Sequence, residues 1–155
     1  MLRITAYIAW SLENTGYRGQ AAEKAKQSIE AHMNAKAEAY TLSVVANFAA
    51  DYDTFDHGKD RDSTRQAMQL LLDASTEKDE QAWWSADETG VYATGASASV
   101  ETTGLAAQAL LKWGEASATA RKAMNYIASK KDASGEWGTT QATIMTCLLY
   151  TSRCV

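Results

Sequence analysis

The sequence predicts an all-α protein built from helical hairpins, and three observations support this fold class. Apolar residues recur at helical spacing along most of the 155 residues. Proline is absent, although a chain of this length would hold about eight at the average usage of roughly 5%. Short Ala-rich patterns also return at intervals. Long helices joined by Gly- and Asp-bearing turns explain these features better than a loop-rich β fold does.

The first predicted helix covers residues 2–13. It places Ile4, Ile8 and Leu12 at i, i+4 and i+8, which defines one apolar face. Gly16 then interrupts the helical pattern.

Three further helices are predicted for residues 20–33, 37–52 and 63–75, each with apolar residues at helical spacing. The stretch from Asp51 to Asp62 is polar and predicts a turn.

Residues 76–98 break the helical period and contain the pair Trp83 and Trp84. This stretch predicts an ordered loop with room for a short β ribbon. Paired aromatic residues in a loop either form a ligand platform or pack an insertion against helices. We expect Trp83 and Trp84 to pack.

Two more helices are predicted for residues 100–113 and 117–131, the first starting after Ser99 and ending at Gly114. A turn follows, and Thr139 or Thr140 is expected to cap a final helix.

An internal repeat supports the hairpin prediction. The second helix of each hairpin carries Ala followed four residues later by Ile or Leu, as in Ala25 and Ile29, Ala67 and Leu71, and Ala123 and Ile127. Repeated hairpins of this kind bury their apolar faces against their neighbours. We therefore expect residues 1–146 alone to expose an apolar edge and to associate.

The charges and motifs exclude several function classes. The net charge is −4 and Lys and Arg usually neighbour Asp or Glu, so no basic stripe marks a nucleic-acid surface. No apolar run is long enough to cross a membrane. His32 and His57 lie outside any zinc pattern, and neither a Gly-x-Ser-x-Gly elbow nor a Gly-rich phosphate loop occurs. We expect no enzyme activity, no metal and no cofactor.

Three segments in a fixed order carry a family resemblance: Tyr40 to Asn47, Val100 to Leu111, and Ser129 to Thr143. The specific part is a Glu-Thr-Thr helix start followed, one hairpin later, by Gly-x-Trp-Gly-Thr-Thr-Gln-Ala-Thr. Together they resemble the thioester domain of bacterial alpha-2-macroglobulin-like proteins, over most of residues 1–146.

The resemblance implies an α/α toroid within a protease-trapping protein of the periplasm, cell envelope or extracellular space. Its partners would be target proteases and other domains of the same chain. In many members a thioester between Cys and Gln of a Cys-x-Glu-Gln motif captures the protease covalently.

This sequence departs from that pattern because Cys-x-Glu-Gln occurs nowhere in it. Either the motif lies upstream of Met1, or the protein is a member without a thioester. The opening run Thr5 to Trp10 echoes Glu38 to Thr41, so the chain starts inside a repeat, which favours truncation. Residues 1–146 are then a partial toroid domain.

The residues that carry the resemblance also have a structural explanation, which we favour over a binding role. Glu101 is expected in a first helical turn, where the helix dipole favours a carboxylate. Gly135 suits a positive-φ turn and Trp137 can cover a hairpin junction. The full set is Glu101, Thr102, Thr103, Gly135, Trp137, Gly138, Thr139, Thr140 and Gln141.

Residues 147–155 have a different origin in this interpretation. The run Cys147 to Ser152 matches one reading frame of a transposase sequencing adapter, although a native helix end would also fit Leu148 and Leu149. Six matching residues favour read-through. Both cysteines, Cys147 and Cys154, lie in this tail, so no disulfide or thiol chemistry follows from the rest.

Two alternatives stay open. One is an enzyme on the same toroid, similar to terpene cyclases or prenyltransferases, which also have Gly–Trp turns between hairpins. Its Asp-rich run, Asp51 to Asp62, lies in a predicted polar loop rather than in a deep apolar cavity. The other is a generic helical-repeat scaffold.

Overall fold

A computed structural model describes residues 1–17, 19–55, 61–90, 92–138, 140, 142–144 and 147. Over these residues the chain is mostly helical, which confirms the all-α class. Its bounded elements are α1 (Leu2–Asn14), α2 (Gln20–His32), α3 (Ala39–Phe55), α4 (Arg61–Asp73), β1 (Thr76–Lys78), β2 (Gln81–Trp83), α5 (Gly95–Trp113) and α6 (Ser117–Ser129).

The odd-numbered helices form one row and the even-numbered helices lie outside it. α3 packs against α1 on one side and α5 on the other. Each of these three also packs against the helix that follows it in the chain. This alternation is the arrangement expected of repeated helical hairpins.

A β hairpin lies against α6. β1 and β2 pair antiparallel, with Thr76 opposite Trp83 and Lys78 opposite Gln81. β2 contacts both α5 and α6. The predicted β ribbon within residues 76–98 is therefore present, and Ala82 buries its side chain completely.

Two apolar clusters form the core. One joins α1, α2 and α3 and includes Trp10, Ile29, Val45 and Phe48. The other joins α3, α5 and α6 and includes Leu110, Met124 and Ile127. In α5 the small residues Ala106, Ala107 and Ala109 are all buried, so neighbouring helices approach closely along the inner row.

The helices α1 to α6 lie where the sequence predicts helices, but their first and last residues differ from the predicted ones. α3 continues to Phe55 although Asp51 to Asp62 predicts a turn. Asp51 accepts hydrogen bonds from Trp10 and Lys112, and Thr54 Oγ1 bonds the carbonyl of Ala50. These partners let polar residues extend the helix, while residues 56–60 lie outside the described part of the chain.

The apolar face predicted for the first helix is not the buried one. Ile4 and Ile8 are exposed, whereas Ala6, Ala9 and Trp10 face the core. The helical spacing was right, but α3 packs on the neighbouring face of α1 because small Ala residues there allow close approach.

The end of the chain is described only in part. Thr140 and residues 142–144 are helical, as the expected final helix requires, but Thr139 and Gln141 lie outside the described residues. Within the tail, the structure places Cys147 in a helical conformation, and residues 148–155 are also outside the described part.

A helix that crosses a membrane must be both long and apolar. In the ranges that the structure describes, none combines the length and the apolar character that crossing a bilayer requires.

Candidate functional site

The segment from Ser129 to Thr143, one of the three that carry the family resemblance, contacts the start of α5 just before the segment from Val100 to Leu111. The first turn of α5 touches the turn that follows α6, because Ser97 Oγ donates a hydrogen bond to the carbonyl of Trp137 at 3.5 Å. Gly138 has φ +79, and a Cβ there would lie 2.8 Å from Ser97 Oγ. Glycine is therefore required at 138 both for its backbone angle and for this close approach.

Glu101 lies deeper in α5 than its sequence position suggested. The helix begins at Gly95, so Glu101 stands in the second turn, and the prediction of a first-turn carboxylate is wrong. Only 1% of the residue is exposed. The sequence of Ala, Ser and Gly before it predicts a loop, but these small residues form the start of the helix, where Ala98 is fully buried.

Thr89 is the partner of this carboxyl group. The Thr89 hydroxyl donates to Glu101 Oε2 at 3.0 Å and accepts from the backbone N–H of Ala93 at 3.2 Å. The backbone N–H of Thr89 also donates to the carbonyl of Ala93, and the backbone N–H of Tyr92 donates to the carbonyl of Thr89. The buried acid therefore anchors Thr89, and through it Ala93, to α5.

Burial dominates the electrostatics around Glu101. It raises the pKa of the Glu101 carboxyl, and the hydrogen bond from Thr89 opposes that shift only in part. Burial also raises the pKa of Tyr40 to about 12, and the negative charge of Glu101 adds to this. Among the described residues, Glu101 Oε1 accepts no hydrogen bond.

Thr103 joins α5 to the β hairpin. Its hydroxyl donates to the carbonyl of Ser99 at 2.6 Å and accepts from the backbone N–H of Trp84 at 3.1 Å. The indole of Trp84 is fully buried and donates to the carbonyl of Leu71 in α4 at 2.6 Å. Trp84 thus connects α4, α5 and the hairpin.

Thr102, between Glu101 and Thr103, behaves differently. It is fully buried, and within the described ranges its hydroxyl has no hydrogen-bond partner. An unpaired buried hydroxyl is unfavourable in itself. Thr102 therefore contributes its shape rather than its polarity to the packing of α5.

The other tryptophan of the pair also packs. Trp83 is half-buried and stacks on Tyr126 of α6, with ring centroids 5.3 Å apart and an interplanar angle of 15°. Trp84 is fully buried and Tyr126 covers one face of Trp83, which agrees with the prediction that the pair packs.

The turn after α6 is organised by Asp132. Its Oδ1 accepts from the backbone N–H groups of Ser134 and Glu136, both at 2.9 Å. These backbone bonds and the Ser134 hydroxyl hold the pKa of Asp132 below its ordinary value. Gly135 adopts φ +88, and the Trp137 indole donates to the carbonyl of Ile127 at 2.8 Å.

A groove of about 970 Å³ lies at the start of α1 and α3. It lies between the first residues of α1, the end of α2, the start of α3 and the segment Ser85–Glu88 that leads into Thr89. Its charged side chains are of both signs: Arg3, Lys36, Glu38, Asp87 and Glu88. A groove with mixed charges can contact a polypeptide surface, and it is the best candidate for a binding region at this end of the helical row.

Metal binding has no support within the described residues, where no three His, Cys, Asp or Glu side chains come together. In the acidic stretch, Asp51 accepts a hydrogen bond from the Trp10 indole and forms an ion pair with Lys112, whose Nζ lies 2.7 Å from Asp51 Oδ2.

Sequence reasoning missed two polar residues that organise this region, whereas the turn from Asp132 to Gly135 was predicted. Thr89 lies in a loop whose partner is distant in sequence, so no local pattern reveals it. Asn47 was quoted only as part of a motif, yet its amide donates to the carbonyls of Ser43 and Leu105 at 2.9 and 2.8 Å, linking α3 to α5. Asp132 carried a visible signal, because Asp-x-Ser-Gly favours a side-chain-capped turn.

No protein-family model and no curated protein matches this chain.

Proposed function

We propose that this chain is a non-catalytic helical module of an alpha-2-macroglobulin-like protease trap, corresponding to part of its thioester-type domain. The proposal places it in the periplasm, cell envelope or extracellular space. Its partners would be target proteases and other domains of the same chain. The hairpins would form part of an α/α toroid.

One observation carries this proposal. α1, α3 and α5 lie side by side while α2, α4 and α6 lie outside them, which is the layering that a toroid of hairpins requires. The residues of the resemblance stand at the junctions of this array. Thr103 holds the β hairpin to α5, and Ser97 holds the turn containing Trp137 and Gly138.

The groove at the start of α1 and α3 is where this module would meet another polypeptide. It combines Arg3 and Lys36 with Asp87 and Glu88, and charges of both signs suit contacts with a protein surface better than contacts with a polyanion.

The toroid enzyme is the competing function, and Glu101 is the residue that would favour it. A cyclase acid must face a substrate cavity. Glu101 is instead buried between α5 and the loop that contains Thr89, and only 1% of the residue is exposed. This environment supports a structural acid.

The proposal is tested by long-read sequencing of the source locus across both ends of this frame. We expect macroglobulin-like β domains in the same frame, and a Cys-x-Glu-Gln motif upstream if the thioester is retained. A continuous frame without β domains would overturn the protease-trap assignment. Turnover of a polyprenyl diphosphate by the protein from that frame would instead establish the toroid enzyme.

A further inference from the structure

The loop before α5 exposes an aromatic side chain. Glu88 and Thr94 form an antiparallel bridge, and the backbone N–H of Thr89 donates to the carbonyl of Ala93 at 3.0 Å. We call the residues on the two sides of this pairing, Glu88 to Gly90 and Tyr92 to Thr94, the Tyr92 turn. The Tyr92 side chain projects from it into solvent, since the residue is 84% exposed.

Two buried side chains hold the Tyr92 turn against the inner helices. Thr89 donates to the Glu101 carboxyl group of α5 at 3.0 Å. Gly90 lies against Tyr40 of α3, because a Cβ at position 90 would be 2.8 Å from the Tyr40 hydroxyl oxygen. The turn therefore presents its exposed ring from a fixed position, which reduces the entropy that a binding partner must overcome.

Tyr92 has a backbone conformation that its side chain disfavours. Its φ is +64, in the left-handed region where Gly, Asn and Asp are the usual residues. The turn between β1 and β2 has the same requirement, and Asp79 meets it there with φ +54. An exposed tyrosine gains little from burial in return. Its presence at position 92 therefore does not follow from the stability of this chain.

The alternation of side chains places a carboxylate on the same face as the ring. Thr89 and Ala93 are buried, whereas their neighbours Glu88 and Thr94 are exposed. Successive side chains of paired segments point to opposite faces. Glu88 therefore lies on the solvent face of the turn, as Tyr92 does.

The surface around this ring is negative. Asp87 and Glu88 are both exposed, and among the described residues neither forms an ion pair. Residues 79–111 contain no Lys or Arg. Arg3, across the neighbouring groove, lies 4.0 Å from the Glu38 carboxylate. An aromatic ring next to carboxylates suits a guanidinium group, because the ring face attracts a cation and a carboxylate can accept two parallel N–H bonds.

We propose that the Tyr92 turn docks an arginine side chain of another polypeptide. The guanidinium stacks on the exposed Tyr92 ring, and Glu88 or Asp87 accepts its N–H groups. Arginine fits this arrangement better than lysine, because only the planar guanidinium can stack and form a forked bond at once. The inference depends on this ring and its two acidic neighbours, so its outcome is independent of the protease-trap proposal.

The first test is a titration of the full chain with two capped tripeptides, Arg-Gly-Arg and Lys-Gly-Lys, followed by the nuclear magnetic resonance signals of the backbone amides. We expect the largest changes at the Tyr92 turn. The arginine peptide should bind about two- to fivefold more tightly than the lysine peptide, which is the range that an exposed cation–π contact gives. Changes centred elsewhere, or equal affinities of the two peptides, would overturn the proposal.

The chain provides a matched control for the two acidic residues. Asp87→Asn combined with Glu88→Gln should weaken binding of the arginine peptide by about fivefold or more. Asp79→Asn combined with Glu80→Gln removes the same two charges from the exposed turn between β1 and β2 and should leave the affinity unchanged. Equal losses of affinity from the two double variants would show that net charge alone attracts the peptide, which would reject a docking site at the Tyr92 turn.

Tyr92→Asn separates the ring from the acidic residues. The variant should lose the preference for the arginine peptide, and it should melt no lower than wild type because Asn tolerates φ +64. A preference that survives the substitution would exclude stacking on Tyr92. A lower melting temperature would show that contacts within this chain hold the ring, and Tyr92 would then be a structural residue rather than a docking residue.

Discussion

Glu101 is a carboxylic acid that water scarcely reaches, so its ionisation is coupled to folding. Burial raises its pKa in the folded state above that in the unfolded chain, and the folded state therefore holds the proton more tightly. The resulting stabilisation is complete below the unfolded-state pKa and is lost as the pH rises through the folded-state pKa.

Glu101→Gln should remove this pH dependence while keeping an acceptor for the Thr89 hydroxyl. We expect the free energy of unfolding of the variant, minus that of wild type, to increase with pH above the unfolded-state pKa. The slope for one proton is at most about 1.4 kcal/mol per pH unit, and the difference levels off above the folded-state pKa. Urea titrations between pH 4 and pH 8 measure it.

Glu115→Gln, at an exposed position after α5, controls for the loss of one negative charge. If the free energy of unfolding of Glu101→Gln differed from that of wild type by the same amount at every pH, this carboxyl group would not change its protonation on folding.

The residues around Glu101 illustrate which polar contacts a sequence reveals. Asp132 serves its own turn, residues 132–136, and Asp-x-Ser-Gly predicts such a turn locally. Thr89 and Glu101 lie twelve residues apart and in different elements. Their contact follows from how the loop folds back onto α5, which no short pattern encodes.

At the scale of elements, α5 is the helix that organises the array. It packs against α3, α6 and β2, and its face from Ala98 to Leu110 is almost entirely buried. Helical periodicity predicted this helix because its middle is apolar. Its true start at Gly95 was missed because Gly and Ser disfavour helix in isolation. In the folded protein Ala98 is fully buried and Ser97 Oγ bonds the carbonyl of Trp137, so tertiary contacts hold the first turn.

Adjacent threonines in α5 provide a matched test of how the β hairpin is attached. Thr103→Val removes the acceptor of the buried backbone N–H of Trp84 and should destabilise the protein by about 1–3 kcal/mol. Thr102→Val removes a hydroxyl that has no partner among the described residues, so it should be neutral within about 0.5 kcal/mol or stabilising.

Both substitutions keep the β-branched shape, and chemical denaturation of the two variants gives the comparison directly. If Thr102→Val and Thr103→Val lowered the free energy of unfolding equally, the hydrogen bond from Trp84 to Thr103 would contribute nothing to attachment of the hairpin.

At the scale of the whole molecule, one carboxylate joins the three inner helices. Asp51 of α3 accepts from the Trp10 indole of α1 at 2.8 Å and pairs with Lys112 of α5 at 2.7 Å. The Lys112 ammonium also lies 5.4 Å from the Trp10 ring centroid. These contacts are partly shielded from water, which strengthens them relative to a surface ion pair.

Asp51→Ala should therefore lower the free energy of unfolding by about 1–3 kcal/mol and reduce amide protection in α1 as well as in α3. A double-mutant cycle with Lys112→Met should give a coupling energy of about 1 kcal/mol. Additive effects of the two substitutions, or a loss of protection confined to α3, would show that the inner row is not joined at this residue.

The sequence by itself determined that this chain is helical, where most helices lie and that they repeat as hairpins. Those properties follow from residue spacing and intrinsic preference, which act between near neighbours in the chain. Only the tertiary structure decided which face of α1 is buried, how deep Glu101 lies and which distant side chains share Asp51. Each depends on the direction from which another helix approaches, and that direction is set by close packing among all the helices at once.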